Sequence, residues 1–337
     1  MIPASPHSAQ PEDWRRQYRE LITDPRELLT LLGLDSLAAR IPDDAAGFPM
    51  RVTRAFAARM RHGDANDPLL RQVLPLDDES RAAPGFELDA VGDLAARDAR
   101  GLLHKYEGRA LLIATGSCAI NCRYCFRRHF PYGDEAAAAN GWRDSVAWLS
   151  QHPDIHEVLL SGGDPLALST RKLAELSEAL RPLGHIRRLR IHSRLPVVLP
   201  VRIDSEFLDW IDGLPWPTVM VIHANHAQEL AADVATACAA LSRQGVRLYN
   251  QSVLLRGVND NIDALANLSE RLFEIGVHPY YLHQLDRVAG TAHFEVEDHR
   301  ALALHEALRD RLPGYLVPKL VREVQGAPAK MPLRVDN

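Results

Sequence analysis

The sequence contains no stretch of apolar residues close to the ~20 that a helix needs to cross a bilayer. Its first residues, Met1 to Pro6, show no basic patch followed by an apolar core, so we expect no signal peptide. The formal net charge of −5 argues against a general nucleic-acid binder, because such proteins are usually basic. These absences predict a protein that works without a membrane or a nucleic acid.

Cysteine is also scarce, and its distribution is uneven. The 337 residues include four cysteines, three of which fall between positions 118 and 125. Thiols placed in this way do not form a disulfide framework. A chain that is 46% hydrophobic can bury its core without one. Because exposed thiolates oxidise elsewhere, the sequence predicts the reducing cytoplasm as the location.

The clustered cysteines, Cys118, Cys122 and Cys125, follow an apolar run at 110–115 with the spacing C-x3-C-x2-C. This pattern indicates a strand that leads into a loop around a metal centre. Three thiolates can bind one face of an iron–sulfur cluster and leave one iron of a cubane open to a small molecule. A zinc site is the alternative, but it would need a fourth ligand such as His129. We expect Cys238, in a helical stretch of small residues, to pack in the core.

Residues 1–108 are predicted to form an N-terminal helical layer. Apolar residues recur near helical spacing from Trp14 to Leu32, with Asp24-Pro25 as a start signal for a second helix and Gly33 as its stop. The region shows no reliable strand alternation.

From residue 109 onward, short apolar runs alternate with longer amphipathic ones, which predicts right-handed crossovers and a parallel sheet of the α/β class. Six repeats favour a partial (β/α)6 barrel over 109–296, with a doubly wound open sheet as the alternative. A final helix near 297–311 and a tail with renewed alternation complete the region 297–337. The predicted strands are 110–115, 157–161, 186–192, 218–223, 246–254 and 277–283, and the predicted helices between them are 136–151, 169–182, 204–213, 227–244 and 262–275.

Polar residues recur at the carboxyl end of each predicted strand. In either architecture, ligands bind at that end of the strands. We therefore expect these residues to share one site. In strand order they are the cysteine loop, Gly162-Gly163-Asp164, Ser193-Arg194, His223, Gln251 and Gln284-Leu285-Asp286.

The cysteine loop resembles that of the radical S-adenosylmethionine superfamily, and Gly162–Pro165 resembles the glycine-rich element that meets the methionine amino group. The resemblance narrows to the lysine 2,3-aminomutases at 122–130, 193–200, 250–260 and 279–281, and it runs from about residue 100 to 332. It implies an isomerase that shifts the α-amino group of lysine to the β-carbon. It also implies three cofactors: a [4Fe-4S] cluster, S-adenosylmethionine and pyridoxal phosphate.

The resemblance assigns a role to each candidate residue. Lys330 matches the lysine that binds pyridoxal phosphate as a Schiff base, and Arg109 and Lys105 match the cations that bind its phosphate. Lys105 replaces an arginine of the family. Arg127 matches the arginine that binds the substrate carboxylate. The residues that match the S-adenosylmethionine site are Gly162, Gly163, Asp164, Arg194, His223 and Gln251.

Two acidic residues, Asp286 and Glu323, match the positions that hold the substrate's ε-ammonium. Glu323 replaces the family's usual aspartate and is one methylene longer. The sequence stops seven residues after Lys330, which is shorter than in the lysine-fermenting enzymes. Both features resemble the subgroup that makes (R)-β-lysine for the modification of elongation factor P.

The resemblance further implies a reductant protein such as flavodoxin or ferredoxin. Three alternatives stay open at this point. The first is an aminomutase that acts on glutamate or another amino acid, which should lack the acidic pair. The second is a radical enzyme without pyridoxal phosphate. The third is a non-catalytic iron–sulfur or zinc protein.

Overall fold

A single sheet of ten strands organises the chain, and its strand order follows the sequence from β1 to β10. The computed structural model describes residues 13–42 and 47–334. The strands are β1 Arg97–Ala99, β2 Leu102–Tyr106, β3 Arg109–Thr115, β4 Glu157–Gly162, β5 Arg188–Ser193, β6 Thr218–Ile222, β7 Arg247–Val253, β8 His278–His283, β9 Lys319–Arg322 and β10 Met331–Pro332.

The strand order decides between the two predicted architectures. Strands β3 to β9 pair in parallel, each with the next along the chain. A doubly wound sheet reverses its strand order at a switch point, and this sheet has no reversal. Because β1 and β10 do not pair with each other in the described residues, the barrel stays open. The predicted partial barrel is confirmed, with β9 as a seventh parallel strand from the tail.

The helices follow the predicted rhythm on the outside of the sheet. Ser169 and Asp204 cap their helices as expected, since their side chains accept hydrogen bonds from Lys172 N and Phe207 N. The α-helices are α1 Trp14–Arg19, α2 Pro25–Leu32, α3 Arg54–Ala57, α4 Pro68–Arg71, α5 Tyr132–Glu135, α6 Arg143–Ser150, α7 Thr170–Leu180, α8 Leu195–Val198, α9 Ser205–Asp212, α10 Ala232–Arg243, α11 Ile262–Glu274 and α12 Asp298–Arg311.

Two predicted helices begin later than the sequence indicated. The expected helix at 136–151 is interrupted at Gly141 and Trp142, whose φ angles of 66° and 67° are left-handed, and α6 starts after them. The expected helix at 227–244 begins with a short turn around Glu229, and α10 follows at Ala232. The Glu229 carboxylate forms a buried ion pair, described below.

The N-terminal region is helical only in part. Helices α1 and α2 are present, and Gly33 ends α2 with a φ of 66°, as predicted. The expectation of no strand is wrong at residues 97–106, where β1 and β2 form a hairpin. Strand β2 pairs antiparallel with β3, so this pairing crosses the proposed boundary at 108. The division into 1–108, 109–296 and 297–337 stays a prediction.

Successive side chains of a strand point alternately to the core beneath the helices and to the inside of the barrel. In β4 and β5, Val158, Leu160, Leu189 and Ile191 are buried in the core beneath the helices. Their neighbours in sequence, such as those at 190 and 192, line the cavity inside the barrel. This is why the third predicted strand looked polar in sequence. No helix in the described ranges has the length and apolarity that a membrane span requires.

Candidate functional site

The carboxyl ends of the parallel strands surround a cavity of about 460 Å³. Every residue to which the sequence assigned a ligand or substrate role, from Lys105 to Lys330, lines this cavity, whereas Ser193 and Gln284, also expected there, are absent from its lining. Its volume lies within the range of pockets that enclose small-molecule ligands. Cys238 is absent from its lining and is buried in α10 within the core, as predicted. The structure therefore brings together residues that lie 225 positions apart in the chain.

The three clustered cysteines lie in the loop that follows β3, and all three line the cavity. Burial raises the pKa of the Cys118 thiol, and Asp164 and the other two thiols raise it further. Burial and the proximity of Cys122 raise the pKa of Cys125 to about 11. Thiols that oppose one another's ionisation are stabilised as thiolates by a bound metal centre. The donor set thus fits an iron–sulfur cluster.

The described residues offer no separate site for a single metal ion. In 13–42 and 47–334, no three His, Cys, Asp or Glu side chains are grouped so that they could hold one ion. His129, the fourth ligand that a zinc site would need, is exposed, and its Nε2 lies 3.1 Å from the carbonyl oxygen of Ala289. The zinc alternative gains no support from this geometry.

The N-terminal layer holds the cysteine loop in place. The backbone N–H of Asn121 donates to the carbonyl of Arg51 at 3.0 Å. Arg123 donates through Nε to Glu79 at 2.7 Å, and Arg128 donates to the same carboxylate at 2.7 Å. All three charged side chains are less than 10% exposed. Because a buried ion cluster is costly to break, these contacts fix the loop to residues outside the barrel.

The turn after β4 packs directly on the cysteine loop. Gly162 has a φ of 115°, and a Cβ placed on Gly163 would lie 2.6 Å from the carbonyl oxygen of Ser117. The Asp164 backbone N–H also donates to that oxygen at 2.8 Å. The Asp164 carboxylate accepts a hydrogen bond from the backbone of Arg194 at 2.7 Å. These glycines therefore allow backbone to approach backbone, and the predicted contact with S-adenosylmethionine stays a prediction.

The Arg194 side chain extends toward the cysteine loop. Its guanidinium lies 2.7 Å from Cys122 Sγ, donates to the hydroxyl of Tyr124 at 2.7 Å, and forms an ion pair with Glu229 at 3.0 Å. Gln72 accepts from the same guanidinium at 2.7 Å. Sequence analysis did not identify Glu229, because nothing in its local sequence distinguishes it. Arg194 thus lies beside the Cys122 thiol with its positive charge balanced by Glu229.

Three histidines line the cavity wall: His283 is buried, and His192 and His223 are half-buried. Burial lowers the pKa of each imidazole, in His223 to about 3, so all three are neutral near pH 7. Their Nε2 atoms have no hydrogen-bond partner among the described residues. Unpaired buried polar atoms are costly, so these atoms favour a ligand that pairs with them. Only His223 was predicted, although the other two also lie at the carboxyl ends of strands.

A buried carboxylate, Asp93, links two of the predicted ligand-binding cations. Its Oδ1 lies 2.6 Å from Lys105 Nζ, and its Oδ2 lies 2.5 Å from Arg127 Nε. Burial opposes its ionisation, but Arg127 and Lys105 hold the pKa of Asp93 below its ordinary value. Arg127 also donates to the Ser161 hydroxyl at 3.0 Å, and Arg109 lines the cavity nearby. Asp93 was missed, because no motif surrounds it.

The predicted acidic pair lies close to Lys330. Burial raises the pKa of Asp286 to about 7, which the positive charge of Lys330 partly opposes. Glu323 accepts a hydrogen bond from Lys330 Nζ at 2.7 Å. Burial opposes the ionisation of Glu323, but the charge of Lys330 leads the effects that bring its pKa below the ordinary value. The tail thus extends the sheet with β9 and β10 and places Lys330 against the cavity.

Comparison with known proteins identifies the family. No protein-family model matches the chain. It is 47% identical over 324 residues to L-lysine 2,3-aminomutase of Escherichia coli strain K12, covering 96% of this chain and 94% of that protein. It is 41% identical over 336 residues to L-lysine 2,3-aminomutase of Haemophilus influenzae, covering 98% of each. The chain belongs to the L-lysine 2,3-aminomutase family.

Membership of the family confirms the resemblance to the lysine 2,3-aminomutases inferred from the sequence, and the elongation factor P subgroup stays a prediction. Among solved structures, a radical SAM methyltransferase from Sphaerobacter thermophilus aligns with a TM-score of 0.48 and 16% identity, over 66% of this chain and 68% of that one. The assignment to the family rests on the two relatives and not on this structure.

Proposed function

We propose that this chain converts L-lysine to (R)-β-lysine by moving the α-amino group to the β-carbon, with a [4Fe-4S] cluster, S-adenosylmethionine and pyridoxal phosphate as cofactors. One observation carries the proposal. A single cavity combines the three cysteines, Lys330, the cations linked by Asp93 and the acidic pair Asp286 and Glu323. Each of these sets suits a different part of the reaction.

The cavity residues fit the cofactors of the family. Cys118, Cys122 and Cys125 would hold the cluster, and Lys330 would bind pyridoxal phosphate covalently. Lys105 and Arg109 would bind its phosphate, with Lys105 supplying charge without the bidentate contact of an arginine. When bound, the cluster and S-adenosylmethionine supply one-electron chemistry, and the pyridine ring delocalises spin.

The remaining predicted residues would contact S-adenosylmethionine at the carboxyl ends of β4 to β7. Gly162 and Gly163 shape the turn, while His223 and Gln251 line the cavity wall. Asp164 and Arg194 would act there through the hydrogen bond that joins their loops. The chain's part in the chemistry is to orient these groups and to exclude water from the cavity.

Charge supports lysine as the substrate. An amino-acid carboxylate needs a cationic partner in a buried site, and Arg127 is buried and oriented by Asp93. A distal ammonium needs an anionic partner, and Asp286 and Glu323 provide two carboxyl groups. Glutamate would bring a second carboxylate toward the same acidic pair, which like-charge repulsion disfavours.

Product analysis tests this proposal. The purified protein is incubated anaerobically with L-lysine, S-adenosylmethionine, pyridoxal phosphate and a strong reductant, and a parallel sample receives L-glutamate. We expect β-lysine from the first sample and no β-glutamate from the second.

Absence of β-lysine from protein that carries iron, sulfide and pyridoxal phosphate would overturn the substrate assignment. Zinc without sulfide would overturn the radical mechanism, and a cofactor absorbance band that survives in Lys330→Ala would overturn the role of Lys330.

We further propose that the β-lysine is used to modify elongation factor P, and that flavodoxin or ferredoxin reduces the cluster. Glu323, which departs from the aspartate usual in the family, supports the first part. The test uses a bacterium whose elongation factor P carries β-lysine and whose own aminomutase gene is deleted. Expression of this chain should raise the mass of elongation factor P, measured on the intact protein, to that of the form that carries β-lysine. An unchanged mass, with β-lysine present in the cells, would contradict the pathway.

A further inference from the structure

The Glu323 carboxylate has a second partner besides Lys330. The hydroxyl of Tyr106 donates a hydrogen bond to Glu323 Oε1, whereas Lys330 Nζ lies 2.7 Å from Oε2. Lys105 Nζ is 4.0 Å from Oε1 and contributes only charge. The Glu323 side chain is 11% exposed, so water competes little for these contacts. The two oxygens therefore have distinct partners, a neutral donor on one and an ammonium on the other.

Tyr106 is fixed independently of Glu323. It lies at the end of β2, where it pairs with Arg109 of β3, and the Arg109 guanidinium stacks over its ring at 4.6 Å from the centroid. Burial raises the pKa of the Tyr106 phenol far above its ordinary value, and the Glu323 charge raises it further. The hydroxyl thus stays protonated and remains a donor. The sheet presents it to the cavity from an element that sequence analysis did not predict.

We propose that Tyr106 is a positioning residue that sets where the substrate's distal ammonium binds. A glutamate reaches one methylene farther than the family's aspartate, and its longer side chain has one more rotatable bond. The bond from Tyr106 removes that freedom and leaves Oε2 directed at an ammonium, as its contact with Lys330 Nζ shows. The position of Oε2 then selects a side chain of lysine length. This inference rests on the proposed function.

Tyr106→Phe tests the inference, because it removes the hydroxyl and keeps the ring on which Arg109 stacks. Loss of one hydrogen bond to a charged group should raise KM for lysine about tenfold and leave kcat within about twofold. The ratio of kcat/KM for lysine to that for ornithine, which is one methylene shorter, should fall. The matched control is Tyr280→Phe, since Tyr280 lines the same cavity and donates to Tyr281 rather than to Glu323. It should keep the lysine-to-ornithine ratio.

A double-mutant cycle shows whether Tyr106 acts through Glu323. In a Glu323→Gln background, Tyr106→Phe should change KM by less than about twofold. Additive effects, or a lysine-to-ornithine ratio unchanged by Tyr106→Phe alone, would overturn the inference. Thermal unfolding of each variant identifies one that fails to fold, and Tyr106→Met, which has no hydrogen-bond donor in its side chain, then replaces Tyr106→Phe.

Calorimetric titration of lysine into the anaerobic protein loaded with pyridoxal phosphate separates this inference from the proposed function. If the wild type binds lysine and makes no β-lysine, the proposed reaction fails. The titration still supports the role of Tyr106 when Tyr106→Phe weakens binding about tenfold. Equal affinity in the two proteins overturns that role, whatever the product assay gives.

Discussion

Asp286 shows how burial can tune one carboxyl group of the site. Its pKa of about 7 lies well above that of an exposed aspartate, because burial disfavours the charged form. Lys330 opposes the shift and Glu323 adds to it. Near neutral pH, Asp286 is therefore protonated in part of the molecules and ionised in the rest. Only the ionised form can pair with an ammonium.

Lysine capture should follow the ionisation of Asp286. We expect kcat/KM for lysine to rise with pH through a midpoint near 7, because this parameter reports the free enzyme. Asp286→Asn should lower the value at pH 8 by about 30-fold or more and remove the midpoint, since an ion pair loses one partner. Initial rates between pH 6 and 8.5 measure this. A wild-type profile that is flat over that range would contradict the assignment.

The same proton has the opposite effect on folding. The folded protein binds it more tightly than the unfolded chain, whose aspartate has a pKa of about 4. The contribution of Asp286 to the free energy of unfolding therefore decreases as pH rises from about 4 to 7. The free energy of unfolding of Asp286→Asn, taken relative to that of the wild type, should therefore be higher at pH 8 than at low pH. Urea unfolding measures this difference.

At the scale of elements, the loop after β3 and the turn after β4 depend on each other. The turn contributes Gly163 and the loop contributes Ser117, and backbone meets backbone with no room for a side chain. Side chains cannot relieve such a clash, so any added atom must displace one of the two segments. The cysteines lie within eight residues of that contact.

Gly163→Ala should displace the cysteine loop while the barrel still folds. Its Cβ would lie 2.6 Å from Ser117 O and 2.8 Å from Gly116 C. We expect less than half of the wild-type iron and sulfide after anaerobic reconstitution, with an unchanged far-ultraviolet spectrum. Gly184→Ala is the matched control, because its Cβ would have no atom within 4 Å, and it should reconstitute normally. Equal iron content in the two variants would contradict the prediction.

Glu79 provides the second test at this scale, since its carboxylate pairs with both Arg123 and Arg128. Glu79→Ala leaves two buried cations without a carboxylate partner and should lower the free energy of unfolding by about 3–5 kcal/mol. Glu27→Ala removes a carboxylate from an exposed pair with Arg54 and should cost less than about 1 kcal/mol. Urea unfolding of the cluster-free proteins compares them. Similar losses in both variants would show that the N-terminal layer does not hold the loop.

At the scale of the molecule, the site joins the hairpin β1–β2, the barrel and the tail. The repeating part of this arrangement could be predicted, because each strand–helix unit carries its own periodicity in the sequence. The placement of His192 and His283 also follows from the rule that ligands bind at the carboxyl ends of strands. Both are the last residues of predicted strands, and the candidates at those ends were the residues that follow them, Ser193-Arg194 and Gln284-Leu285-Asp286.

Contacts between distant segments could not be predicted in the same way. Asp93 and Arg127 are 34 positions apart, and Tyr106 and Glu323 are 217 apart. Neither pair leaves a local pattern, and β1 and β2 have only three and five residues. The family resemblance identified Glu323 and Lys330 from the sequence. The residues that orient them could be identified only from the folded structure.

Pyridoxal phosphate should stabilise the whole molecule, because its proposed ligands come from β2, β3 and the tail. At a concentration 100 times its dissociation constant, the free energy of unfolding should rise by about 2.7 kcal/mol. Lys330→Ala should lose most of the resulting shift in thermal midpoint, which differential scanning fluorimetry measures. Lys172→Ala, on the exterior helix α7, should keep the full shift. Equal shifts in both variants would contradict the role of Lys330.

The position of the tail also sets the order in which the site is made on the ribosome. Gly163, the last residue of the turn that supports the cysteine loop, is synthesised 160 residues before Glu323. At 5–20 residues per second, that interval lasts roughly 8–30 s. The nascent chain therefore acquires the segments proposed to bind the cluster well before the tail that carries Glu323 and Lys330. A polypeptide whose translation stops in this interval would contain the segments proposed to bind the cluster without the lysine proposed to bind pyridoxal phosphate.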